Sequence, residues 1–521
     1  MIMRRFWLVV TASITIACAS GPKKLTAAEI AANAHAAAQR LVQDGCYACL
    51  LEARETYERV AAGPSRRPLI VPMFETELLI VLREKEFAMD PSGALARART
   101  LSAELPSDVD GARYLAIVEA VPSEAMGLPQ VEDLAFRRER AAYIPTIDGE
   151  IAWLAAGSLQ PVVRQYLSLS IDCKYLHRGQ PARALTVSTD RTVPPDAPPL
   201  IAYRIATCDS VKADVLESVK ERVPRFTDTA FFRARLLASS AQRTGGIGAR
   251  PLLAEAREHF PSSPSVTYLN GNFQQAIGDC REALRFYDET LALKPLHENA
   301  LLGRTVCLTY LKRQDEAIAT ATRMIELRTF NMHEAYFWRA WIQHDQKALP
   351  AARADIDSAK RIASSGNIHR LAGIIEYDQE DLDISERDLQ AAKDASGGGA
   401  DCVARWYLGL VAIKRQKAPE AAANFDDAMT CYERAALVSE AGLRAMEANT
   451  DIDPEFKARQ IEGFKAAVEE DRSQQYAAAF NAANYFAQAG NKDKARVLIE
   501  VAAKDPALEK RVAELRKIIG G

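Results

Sequence analysis

At 521 residues, with hydrophobic side chains at 48% and charged ones at 26%, the chain has the balance of a folded protein, which excludes disordered and collagen-like classes. Its 66 basic and 69 acidic side chains leave a formal net charge of -3 with no basic stripe, so nucleic acid is excluded as the expected partner. The length fits either three or four ordinary domains or one elongated repeat array.

The first twenty residues, MIMRRFWLVVTASITIACAS, set Arg4 and Arg5 before an apolar run from Phe6 to Ala17 that is too short to span a bilayer. This resembles a bacterial export signal. Its end, Thr15-Ile16-Ala17-Cys18, is similar to the lipobox of bacterial lipoproteins, with Thr15 where that family has Leu. The resemblance implies lipidation at Cys18, against ordinary cleavage after the Ala17-Cys18-Ala19 triplet or an uncleaved anchor. Several acyl chains would hold the protein to a membrane, at roughly 0.8 kcal/mol per buried methylene. In lipoproteins of this type Ala after the Cys goes with the outer membrane, so Ala19 implies a periplasmic protein tethered there. No later segment reaches the length and apolarity of a transmembrane helix.

Between this leader and residue 230 the pattern is helical and irregular. LTAAEIAANAHAAAQRLVQ and CYACLLEARETYERVAA read as a helix pair, with Ala53, Tyr57 and Val60 as a small-aromatic-apolar trio on one face. MFETELLIVLREKEFAM and GALARARTLSAEL read as another. From Asp108 to about Gly179 several helices follow without register, and TVPPDAPPL, Thr192 to Leu200, is a joint. No run of strict alternation marks a strand.

Beyond residue 230 the spacing becomes regular. Ala249, Ala283, Ala317, Ala351 and Ser385 follow at intervals of 34, Ala421 comes 36 later after the Gly397-Gly398-Gly399 insertion, and Ala495 marks a separate unit. Gly271, Gly373 and Gly409 stand twelve before these small residues. Tyr287 and Phe425 stand four after, and Ala256, Ala392 and Ala428 seven after. Pro261 and Pro295 close their units. Small residues midway along a first helix let a second approach, the ring four residues on fills the gap between units, and proline ends the second helix. The unit at Ala351 departs, with Asp355 where a ring is expected and Pro350 opening its second helix; the unit at Ala317 has Ala321 there.

A helix-turn-helix unit of this length resembles the tetratricopeptide repeat. The resemblance covers about residues 230 to 505 and implies an all-α, right-handed solenoid of helical hairpins whose first helices line a concave face. The expected divisions are a leader at 1–18, a helical region of degenerate repeats at 19–195, a transitional stretch at 196–229, the array at 230–435, and C-terminal helices with one further repeat and a cap at 436–521.

The remaining eight cysteines allow disulfides in an exported protein. Repeat geometry brings Cys402, at the start of a first helix, to Cys431, at the end of the next second helix, and Cys280 to Cys307; the alternative is small buried hydrophobes. Cys46 and Cys49 form a CYAC motif at a helix start, which reads as a local disulfide, two packed thiols, or a redox or metal pair. The seven histidines show no metal spacing and no evident Ser or Cys partner. The glycines of TGGIGARPLLAEA have no preceding strand and no Lys-Ser/Thr ending, so they read as a repeat turn. YDQEDLD lacks the ligand order of a Ca²⁺ loop.

With no catalytic constellation and no cofactor expected, function is expected in the surface. Carried over from the repeat family, the groove positions are Tyr268, Asn272 and Gln275; Asn299, Leu302 and Thr309; Tyr336 and Gln343; Asn367, Arg370 and Tyr377; Trp406 and Lys414. Rings beside amides suit an extended peptide, though each residue has the alternative of packing against its own neighbours. The resemblance implies a non-enzymatic scaffold that binds other proteins. The rival is a thiol-disulfide oxidoreductase through Cys46 and Cys49, or a catalytic region within Asp108–Gly179.

Overall fold

The computed structural model describes residues 26–61, 66–121, 123, 147–176, 193–208, 211–238, 246, 248–395 and 401–520. The leader with Cys18, the stretch 124–146 and the triple-glycine insertion lie outside the described residues. Among those described there are α-helices, two short 3-10 turns and no strand. The first five helices are α1 (Ala27–Asp44), α2 (Tyr47–Val60), α3 (Ile70–Glu86), α4 (Ser92–Ser102) and α5 (Gly111–Ala120). Next come α6 (Ile147–Ala156), α7 (Pro161–Leu176), α8 (Pro199–Cys208), α9 (Ala213–Arg222) and α10 (Thr229–Ala238). The array runs through α11 (Ala249–His259), α12 (Pro264–Ala276), α13 (Cys280–Leu293), α14 (Glu298–Tyr310), α15 (Gln314–Glu326), α16 (Met332–Asp345) and α17 (Leu349–Ile362). It continues with α18 (Gly366–Asp378), α19 (Leu382–Ala395) and α20 (Cys402–Lys414), and the chain ends with α21 (Ala418–Ala448), α22 (Pro454–Gln488), α23 (Lys492–Ala502) and α24 (Glu509–Gly520).

Local chemistry sets the helix ends. Thr26 and Glu29 form a reciprocal capping box at α1. Ser263, Asp279, Ser365, Asp401, Asp453 and Asn491 each accept an amide of the first turn that has no partner within its helix. Among the described residues the hairpin turns of the array from α12 onward close the same way: Lys312 N donates to Thr309 O at 3.1 Å and Arg313 N to Leu308 O at 2.9 Å, with Lys312 left-handed at φ 59°. Gly278, Lys347, Glu380, Gln416 and Gly490 occupy the same place with positive φ, and so does Ala88 between α3 and α4. The turn that defines the array thus already occurs in the irregular N-terminal half.

The interhelical packing follows the small-residue rule. Ala249, Ala283, Ala317, Ser385, Ala421 and Ala495 are fully buried. Tyr287 is wedged between two glycines: a Cβ on Gly271 would lie 2.8 Å from its ring, and one on Gly303, in the next first helix, 2.4 Å. A Cβ on Gly373 would meet Leu389 at 2.6 Å, and one on Gly409 would meet Phe425 at 2.8 Å.

One position departs from the expected register. Ala351 is exposed and Ala352 is the buried small residue. The connection between α15 and α16, residues 327–331, is one longer than the four of 294–297, and Arg328 adopts φ 50° within it. The next connection, 363–365, is one shorter, so Ser385 is back in step. Ile356 therefore fills the place assigned to Asp355, whose carboxylate instead takes both arms of Arg339 at 2.7 Å. Tyr336 and Gln343 are displaced by one position around α16 for the same reason.

The N-terminal helices are not a separate body. Cys46, Cys49, Phe87 and Met89 share one apolar cluster with Tyr203, Phe226, Phe231 and Phe260, and Phe87 stacks on Phe260 at 3.9 Å. Below it lies a buried ionic group: Arg83, fully enclosed, pairs with Glu86 and Asp228, and Arg204 reaches Glu86 at 3.0 Å. Tyr166 donates to Glu86 at 2.5 Å, and Tyr47 N to Asp228 at 2.8 Å. Buried charges need such partners.

At the other end, α21 and α22 are 31 and 35 residues long, and α21 continues well beyond Cys431, where the second helix was expected to end. At 1.5 Å per residue α21 alone spans roughly 46 Å. The tip of this hairpin returns to the start of the array: Ile452 and Phe456 are buried in the cluster that holds Leu253 and Phe273. Arg250 lies 3.4 Å from Glu455.

Candidate partner-binding groove

The first helices α12, α14, α16, α18 and α20 carry the candidate positions, and the structure divides them. Asn272 and Gln275 line a cavity of about 1090 Å³, joined by Val306, Tyr310, Arg281, Arg285 and, from α22, Arg459. Gln275 Oε1 accepts the Tyr287 hydroxyl at 2.5 Å, which orients its amide. Tyr268 packs against Tyr287 and His297, at 6.1 and 4.8 Å between centroids, and burial pushes its hydroxyl up to about 12. Thr309 is buried and bonds Thr305 O, Leu302 is half-buried against the Leu301 cluster, and Asn299 is half-buried. Tyr336 packs beside the Phe337 cluster, and Gln343 Oε1 is buried.

Farther along, Arg370 bonds Asn367 at 3.0 Å and Asp401 at 3.3 Å. Lys414 lies 4.2 Å above the ring of Tyr377, a cation-π contact, and Trp406 packs on Phe425 at 5.2 Å. Of the candidate residues, the structure brings together Asn272 and Gln275 in one cavity, Arg370 with Asn367, and Lys414 with Tyr377.

Outside the expected set, two exposed rings and a half-buried one form an aromatic surface. Tyr310 is 68% exposed and Trp341 36%, and Trp338 bridges them at 6.0 and 6.5 Å between centroids. An uninterrupted first helix carrying two tryptophans three apart signals such a surface, but the one-residue slip concealed which of its faces is turned outward. Arg459 could not be placed from sequence, because nothing local says that α22 folds back over the array.

The structure joins Cys46 to Cys49, Cys280 to Cys307 and Cys402 to Cys431, with Cα separations of 4.9, 5.0 and 5.4 Å. Cys46 and Cys49 are both fully buried, and Cys46 Sγ accepts the Cys49 amide at 3.0 Å. Thiol exchange needs access for an attacking thiolate, and this pair offers none. His297 caps α14, its Nδ1 accepting the Ala300 amide at 3.2 Å, and burial with Lys294 nearby pulls its pKa down to about 4.

One constellation contradicts the sequence reading that no histidine has a serine partner. Ser364 Oγ lies 2.9 Å from His369 Nε2, and His369 Nδ1 2.7 Å from Asp388 Oδ1. The connectivity is that of a hydrolase triad. The electrostatics differ, because Asp388 also holds Lys360 at 2.5 Å, and that ammonium compensates the charge an imidazolium would need. Among the described residues no cluster has the makings of a metal site, and no helix is long and apolar enough to cross a membrane.

These hairpins define a tetratricopeptide-like helical solenoid. No protein-family model matches the sequence, and no curated protein matches it. Among solved structures, the chain is similar over 90% of its length, and 73% of the other chain, to the APC/C hetero-tetramer Cut9-Hcn1, at 11% identity and TM-score 0.39. It is similar over 56% of its length to 99% of a tetratricopeptide repeat protein from Parabacteroides merdae, at 15% identity and TM-score 0.35. It is also similar over 46% of its length to 98% of Pseudomonas aeruginosa pilF, at 16% identity and TM-score 0.34.

Proposed function

We propose that the protein is a non-enzymatic scaffold of the bacterial cell envelope that holds partner polypeptides along the first-helix face of its solenoid, tethered through a lipid on Cys18. The observation that carries this reading is the pair of exposed rings Tyr310 and Trp341, joined through the half-buried Trp338, with Tyr310 sharing a cavity with the amides of Asn272 and Gln275. Large rings left in water on one face, next to hydrogen-bonding amides, are the composition of an interface and not of a solvated surface. Three disulfides support an oxidising compartment, and the leader supports export.

The test is site-specific photocrosslinking in cells from position 341, with position 516 on α24 as the control. A recurring partner captured from 341 and not from 516 is expected. Failure to capture any with the fold intact refutes the scaffold reading. Cys18→Ser is expected to move the protein from the membrane fraction to the soluble one; retention at the membrane refutes the tether.

A further inference from the structure

We propose that Cys280 is a thiolation site: a thiol entering the cavity between α12, α14 and α22 opens the Cys280–Cys307 disulfide and leaves a mixed disulfide on Cys280. This stands apart from the scaffold reading, because it concerns which sulfur is open to attack and not what the first helices hold.

Access separates the three disulfides among the described residues. Exchange begins when a thiolate touches one sulfur of the bond, so a disulfide enclosed on both sides reacts only when the fold opens. Cys46 and Cys49 are fully enclosed. Cys402 and Cys431 are both buried, and Arg405 Nη1 stands 3.7 Å from Cys431 Sγ. Cys280, by contrast, is half-buried and lines the cavity of about 1090 Å³. Its partner Cys307 does not line that cavity and is fully buried among Ala283, Leu284, Tyr287 and Leu308. An incoming thiolate therefore reaches Cys280, and Cys280 keeps the adduct.

In the exchange the thiolate sulfur bonds to Cys280 Sγ while the bond to Cys307 Sγ breaks. Cys307 leaves with the electron pair and takes up a proton equivalent to the one the attacking thiol released. The incoming sulfur is oxidised to the disulfide level and Cys307 is reduced, so no further oxidant is consumed. Burial in an apolar cluster makes the Cys307 thiolate a reluctant leaving group and, once protonated, a weak nucleophile for the reverse step. The exchange accordingly takes minutes to hours, on the order of uncatalysed disulfide rearrangement, and the adduct persists. It is a modification and not the turnover of an oxidoreductase. Around Cys280 the arginines Arg281, Arg285 and Arg459 stand among Asp279, Glu282, Glu289 and Glu455, so charge selects no particular thiol. The shared chemistry is the thiol itself, from a low-molecular-mass compound or from a cysteine of another polypeptide, and the adduct lies in the cavity that Asn272, Gln275 and Tyr310 line.

The experiment incubates the full oxidised chain at about pH 8, where a free thiol is partly ionised, with reduced glutathione or with a glycine-serine hexapeptide carrying one cysteine. The reaction is quenched in acid and the adducts are mapped by mass spectrometry. A Cys280 adduct is expected to form at least about tenfold faster than either of the other two disulfides opens, and the lead should vanish in urea. An adduct from glutathione alone assigns the small thiol, and one from the peptide alone assigns a polypeptide cysteine. Two variants supply a second readout with oxidised glutathione. Cys307→Ser leaves Cys280 free at the start of α13, where the helix amides favour a thiolate, and should take up one glutathionyl group with release of one reduced glutathione. Cys280→Ser leaves the buried Cys307 and should take up none until urea is added. A native adduct on Cys307, equal opening of all three disulfides, or no Cys280 adduct from either thiol under conditions that give one in urea overturns the inference. Any of these leaves the scaffold reading standing, since that reading falls on the absence of a partner crosslinked from position 341.

Discussion

His297 gives the structure a pH dependence whose size can be worked out. The residue is 1% exposed, caps α14 through Nδ1, and keeps its pKa near 4 because burial, the Lys294 charge and the amides at the helix start all oppose a proton. In the unfolded chain it titrates near 6.5. A base with a depressed folded pKa contributes stability that is complete above 6.5 and is lost as pH falls toward 4. Between pH 7 and pH 4.5 the unfolded chain gains the proton and the folded chain scarcely does, so at 1.36 kcal/mol per pH unit about 2 kcal/mol disappears. For a cooperative unit of 150–250 residues that is a fall of roughly 4 to 8 °C in melting temperature. His297→Ser keeps a capping oxygen and removes the titrating ring. Melting both proteins by circular dichroism at the two pH values should therefore show the wild type falling further than the variant by that amount, while other titrating groups cancel in the difference. Equal falls would refute the assignment of His297 as a buried neutral cap.

Three further outcomes are expected. Gly303→Ala puts a methyl 2.4 Å from the Tyr287 ring and should cost about 1–3 kcal/mol in urea unfolding, most of it recovered in the Gly303→Ala, Tyr287→Leu double variant. Lys347→Gly relieves a left-handed residue at φ 60° and should stabilise by up to about 1 kcal/mol; a loss of stability would count against the turn geometry. Purified protein treated with a fluorophosphonate should show no modification of Ser364 by mass spectrometry, and labelling that His369→Gln abolishes would establish a hydrolytic site.

Sequence spacing gave access to the hairpins because it reports packing: a small residue, a wedge four positions on and a turn recur wherever two helices must approach closely. The same spacing misplaced α16 and α17 by one residue, since the 327–331 and 363–365 connections err in opposite directions and their sum hides the slip. The slip turns Tyr336 and Gln343 by one position around α16, and the spacing does not single out Trp338 and Trp341. Arg83, Glu86 and Asp228 were not legible either, because their pairing joins segments up to 145 residues apart and leaves no periodic trace. Arg459 was missed for the same reason: its place depends on where a 35-residue helix ends up, not on its neighbours in the chain.

The return of the last long hairpin to Arg250 has a cost in time. As the polypeptide emerges from its N-terminus, the patch around Leu253 and Phe273 must wait for residues some 205 positions later before Ile452 and Phe456 can cover it. At synthesis rates of about 5–20 residues per second the delay is on the order of ten to forty seconds. For the same reason neither end of the stack can be trimmed unit by unit, because removing the tail uncovers the beginning.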